Sequence, residues 1–114
     1  AGADAILECL GVGFAIREAD FVITGEGSFD SQSIRFDKAP AAVMERFTEA
    51  DRPGCLFVGR LGLDRNALLK DHPKLKGVVT CPAGEDPYDT AVRGAFEREV
   101  LPMIGKDIAI PSNL

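Results

Sequence analysis

The chain has 114 residues, with 13 Lys and Arg against 18 Asp and Glu, a formal charge of −5 and 46% apolar residues. So high an apolar fraction at so modest a charge excludes a disordered chain, and the length suits one domain that buries roughly two-thirds of its unfolded surface. The acidic balance has the wrong sign for nucleic-acid binding, and no apolar run reaches the ~18 residues of a membrane span.

The elements follow in chain order. Ile6, Leu7 and Leu10 share one helical face, and Gly11 is placed to end that stretch as a C′ residue. Phe14, Ala15 and Ile16 add a further short turn. Phe21-Val22-Ile23-Thr24 is an apolar, β-branched run of the kind that forms a strand buried on both faces. It gives way to a long polar loop, Gly25-Glu26-Gly27-Ser28-Phe29-Asp30-Ser31-Gln32-Ser33. Pro40 opens the next helix, Val43, Met44 and Phe47 form its buried stripe, and Asp51-Arg52-Pro53-Gly54 stops it.

Cys55 to Val58 is the second strand, followed by a Gly59-Arg60-Leu61-Gly62 loop. Asp64 reads as the N-cap of a helix that carries Leu68 and Leu69 and closes at His72-Pro73. Gly77 to Cys81 is the third strand, and Pro82-Ala83-Gly84-Glu85 the loop after it. Asp86 and Pro87 cap an amphipathic helix with Tyr88, Ala91, Val92, Ala95 and Phe96 on its apolar face. Ile108-Ala109-Ile110-Pro111 is expected to add a short edge strand or to pack against the rest.

Helices alternate with apolar strands three times, which points to an α/β fold: parallel strands joined by right-handed helical crossovers in three layers. Residues 1–114 read as a single α/β domain. Three parallel strands are few for a sheet with both faces covered, so the architecture looks like part of a larger one. Ala1 in place of an initiator Met, with no basic-then-apolar leader, suggests a non-exported chain that was processed or cut from something longer.

Cys9, Cys55 and Cys81 form no CxxC pair and lie in apolar surroundings. They read as buried small hydrophobes in a reducing, cytoplasmic compartment. With His72 the only histidine, no Cys/His metal site is expected.

In an open parallel sheet, ligands bind outside the carboxyl ends of the strands. The first strand-to-helix segment is the richest in chemistry there. Gly25 and Gly27 allow a tight turn and close backbone approach, and Thr24, Ser28, Ser31 and Ser33 carry hydroxyls. Glu26 and Asp30 are carboxylates suited to a hydrated Mg²⁺ or a substrate hydroxyl. Lys38, before the next helix, is a point charge for a phosphate oxygen, and Arg60 follows the second strand. The spacing is neither a Rossmann fingerprint nor a Walker A loop, since Asp30 stands where the third glycine would be.

The run Ala19-Asp20-Phe21-Val22-Ile23-Thr24-Gly25-Glu26-Gly27, continued by Asp30, Gln32, Ser33, Lys38 and Pro40, resembles the signature of the type 2 glycerate kinases. That signature reads approximately A-D-L-V-I-T-G-E-G-R-x-D-x-Q-[ST]-x-x-G-K-x-P. The resemblance implies a carboxyl-terminal part of a two-domain enzyme that phosphorylates D-glycerate with ATP and Mg²⁺. It also implies catalytic roles for Glu26, Asp30 and Lys38. Gly25, Gly27, Ser28, Gln32, Ser33 and Arg60 would bind substrate. Two positions depart from the signature: Ser28 replaces Arg, and Asp37 replaces the Gly before Lys38.

Two other functions fit the same residues. One is a non-catalytic module that binds small acids or anions. The other is an interaction domain that forms a homodimer by pairing open sheet edges; a missing upstream domain is the alternative partner.

Overall fold

The computed structural model describes residues 7, 9–35, 39–81 and 90–107. Three strands, β1 (Val22–Phe29), β2 (Gly54–Leu61) and β3 (Leu75–Thr80), form one parallel sheet in the order β1-β2-β3. Between and beside them run α1 (Val12–Glu18), α2 (Ser31–Arg35), α3 (Ala39–Glu49) and α4 (Arg65–Asp71). A last helical run comprises α5 (Thr90–Ala95), a π-turn segment (Phe96–Val100) and α6 (Leu101–Asp107). This is the expected parallel α/β arrangement.

Strand alternation divides the core into two layers. On one face, Leu56, Val58 and Val78 pack with Ile16 of α1, Met44 and Phe47 of α3, and Leu68 of α4. On the other, Cys55 and Val79 pack with Ala95 and Val100, and Phe57, Met103 and Ile104 adjoin them. Helices therefore cover both sides of β2, which is buried along its first half as its apolar run requires. β1 departs from the expectation of two buried faces. It is an edge strand, and Ile23 is 42% exposed.

β1 and β2 are both longer than their apolar runs. Pairing continues through Gly25↔Phe57, Glu26↔Val58, Ser28↔Arg60 and Phe29↔Leu61, so the segments expected as loops from Gly25 to Phe29 and from Gly59 to Leu61 are strand. The reason is close backbone approach. A Cβ on Gly25 would run into the Phe57 carbonyl oxygen, and one on Gly59 would lie 2.7 Å from the Gly27 carbonyl oxygen. Glycine here permits strand pairing, not a turn.

The helix signals are mostly obeyed. Asp64 caps α4, its carboxylate accepting from the Ala67 N–H at 3.0 Å. Val43 is only partly buried, while Pro40, Ala42, Met44 and Phe47 are buried in α3. Asp51, in the turn after α3, has φ 58, a left-handed value that aspartate tolerates. The Lys74 ammonium, 2.6 Å away, hydrogen-bonds Asp51 and holds its carboxyl below the usual carboxylate range.

Two further expectations are corrected. Leu10 is 72% exposed and does not share a buried face with Leu7. Cys9 is exposed, so of the three thiols only Cys55 is fully buried. Gly11 does adopt the left-handed φ of 69, directly before α1, which replaces the short turn expected around Phe14–Ile16.

Pro102 explains the π-turn. It has no N–H for the Arg98 carbonyl, and its ring crowds that oxygen. The preceding turn widens, with the Leu101 N–H donating to the Phe96 carbonyl, and the helix continues past Pro102. Ile6, the Pro82–Glu85 loop, the Asp86-Pro87 cap, Tyr88 and the Ile108–Pro111 tail lie outside the described residues.

Two outcomes follow from this packing. Phe47→Ala, which empties a fully buried ring site, is expected to lower the unfolding free energy by about 3–5 kcal/mol in urea titration. Burial pushes the Cys55 thiol up from 9.0 to about 11. Above pH 9.0 the unfolded thiol loses its proton while the folded one retains it, so stability falls as pH rises toward about 11. Cys55→Val is expected to remove this part of the alkaline slope in denaturation midpoints measured across that range.

Candidate active site

The polar segment is organised by the end of β1. Phe29 is fully buried and closes the strand ladder, with the Gly62 N–H donating to its carbonyl at 2.8 Å. The chain turns at Asp30 into α2. Asp30 caps that helix: Oδ1 accepts from the Gln32 N–H at 2.9 Å and the Ser33 N–H at 3.2 Å. In return, the Asp30 N–H donates to Ser33 Oγ at 3.2 Å, the reciprocal pattern of a capping box with Ser at N3.

Ser33 joins the cap to the strand. Its hydroxyl donates to Glu26 Oε1 at 2.8 Å, and its side chain is 0% exposed. Glu26, Asp30 and Ser33 thus form one hydrogen-bonded group at the carboxyl end of β1, where parallel sheets bind ligands. Glu26 and Asp30 remain half-buried, so both carboxylates keep access to solvent.

The other expected residues are arranged around this group. Ser28 and Arg60 are register partners on neighbouring strands, and both are exposed. Gln32 is exposed on α2, and its backbone N–H joins the cap. Gly27 is exposed, and a side chain there would meet open space among the described residues. Thr24 sits in mid-strand opposite Leu56, short of the carboxyl edge. Lys38 and its neighbour Asp37 lie outside the described residues, directly before α3.

Arg65 was not singled out by its sequence position. Its guanidinium Nη1 donates to the Val78 carbonyl at 2.6 Å, fixing the start of α4 to β3. The only sequence signal is its place just after the Asp64 cap. A cleft of about 680 Å³ lies between α1 and α3, lined by Phe14, Arg17, Glu45, Arg46 and Glu49 among others. None of the motif residues lines it. Among the described residues no group of three or more His, Cys, Asp and Glu side chains could hold a metal ion, and no helix is long and apolar enough to cross a membrane.

The model of the glycerate kinase family matches residues 1–108. The chain belongs to the glycerate kinase family. Glycerate kinase of Bacillus subtilis (strain 168) is 30% identical over 108 residues, which cover 95% of this chain and 27% of that protein. The chain therefore spans about a quarter of the length of the curated relative it matches. The match takes in the whole of the Glu26–Asp30–Ser33 group, so this polar cluster belongs to the part of the chain that carries the family likeness.

Within this member of the glycerate kinase family, Asp30 is held by the backbone it caps. Asp30→Ala is expected to destabilise the chain by about 1 kcal/mol in urea titration, and Asp30→Asn by less, because an amide oxygen still accepts from the N2 and N3 amides.

Proposed function

We propose that this chain supplies the substrate- and phosphate-binding loops of an ATP-dependent kinase that phosphorylates D-glycerate. The observation that carries the reading is the Glu26 carboxylate, held by Ser33 at the carboxyl end of β1 inside the matched family segment. The name of the Bacillus subtilis relative is consistent with it.

The chemistry follows from the residue types. Phosphoryl transfer asks mainly for positioning and charge stabilisation. Glu26 accepts a hydrogen bond from the reacting alcohol of glycerate and orients its oxygen. By the family resemblance Lys38 would serve the transferred phosphoryl group, and the exposed Arg60 would offer positive charge to the substrate carboxylate. Gln32 and Ser28 offer an amide and a hydroxyl to the same carboxylate, and the exposed Gly25 and Gly27 let substrate approach the strand backbone.

Oxygen donors from two carboxylates suit Mg²⁺, which is usually bound by one or two carboxylates together with nucleotide phosphates rather than by an all-protein cage. Glu26 and Asp30 would hold it, and it would neutralise charge on the phosphoryl group that ATP supplies.

The test is coupled ADP release with D-glycerate, run on this chain and on a full-length form that contains it. Turnover is expected in the full-length form, and Glu26→Gln should lower kcat by roughly 10²–10⁴-fold. Absence of turnover with D-glycerate in both forms overturns the assignment.

A further inference from the structure

We propose that Ser33 is a positioning residue: its buried hydroxyl holds the Glu26 carboxylate in its working orientation and does not touch substrate. The inference rests on the kinase reading above for its functional meaning, but its physical content stands on the hydrogen bonds themselves.

A serine hydroxyl has one proton to donate. In Ser33 it goes to Glu26 Oε1 at 2.8 Å. Ser33 Oγ in turn accepts from the Asp30 N–H at 3.2 Å, and the Ser33 N–H is committed to the Asp30 carboxylate and carbonyl. The residue is 0% exposed, so a ligand in solution has no surface of it to meet. The direct substrate contact implied by the family resemblance is therefore replaced by an indirect one.

Ser33 comes seven positions after Glu26 in the chain, and the α2 cap closes that distance. Asp30 fixes the first turn of α2, the turn fixes Ser33, and Ser33 fixes the face that Glu26 presents to the sheet edge. Removing the hydroxyl leaves Glu26 with a rotatable side chain and no partner for Oε1 among the described residues. A misaligned catalytic group slows the reacting step more than it weakens substrate binding.

The experiment has two arms. In the 114-residue chain labelled at Glu side chains, scalar couplings should report one dominant Glu26 rotamer in the native protein and an averaged set in Ser33→Ala. Ser33→Thr should restore the single rotamer. Ser33→Cys, which preserves size with only a weak donor, serves where the alanine variant fails to fold and should also average the rotamers.

In the full-length form, Ser33→Ala should lower kcat by about 10- to 100-fold with little change in the KM for D-glycerate, and Ser33→Thr should recover most of the loss. A single Glu26 rotamer in both Ser33→Ala and Ser33→Cys overturns the proposal, as does a rise in KM with kcat retained. If the native full-length form turns over no glycerate, the kinase reading falls, while the coupling measurement still decides whether Ser33 holds Glu26.

Discussion

The rest of the structure depends on the pairing of β1 with β2 in one constant register, from Val22↔Gly54 to Phe29↔Leu61. Parallel strands come this close near their carboxyl ends only because Gly25 and Gly59 carry no side chain against the facing backbone. That pairing sets Glu26 beside Val58 and Ser28 beside Arg60. It also buries Phe29, so the polar chain leaves the sheet at Asp30 and nowhere earlier. The candidate site is a consequence of strand length.

Stability and chemistry share atoms at this edge. The carboxylate of Asp30 satisfies two helix amides, and the hydroxyl of Ser33 bridges that cap to Glu26. Leaving such a buried hydroxyl unsatisfied would cost about 1–3 kcal/mol, whereas here it both donates and accepts. A single packing solution therefore holds α2 in place and aims the carboxylate. Among the described residues, Arg60 is exposed at the end of β2, and Arg65 is tied to the Val78 carbonyl.

Much of this was legible in the sequence. The apolar runs at 21–24, 55–58 and 77–81 gave three parallel strands, and Asp64 marked the start of α4 because a carboxylate cap is a local interaction. The polar cluster was found because its spacing matches a family signature. Its geometry was not legible. Gly25-Glu26-Gly27-Ser28 has the composition of a turn, and only the facing backbone of β2 makes it strand. Ser33 looked like one more loop hydroxyl, because burial is not a property of a serine but of what closes over it. The apolar face read from the sequence runs from Tyr88 to Phe96, and only the structure shows a π-turn carrying the helix past Pro102 while Val100 and Met103 pack on the sheet.

By itself, the amino-acid sequence determined a non-disordered α/β chain at a charge of −5, with two carboxylates, a lysine and several hydroxyls gathered between Thr24 and Lys38. Those features depend on composition and on interactions within a few residues. The tertiary structure decided which strand lies between the other two, how far β1 runs and which oxygen of Glu26 is engaged. Each of these is a contact between segments distant in the chain, where steric fit and hydrogen-bond satisfaction outweigh local preference.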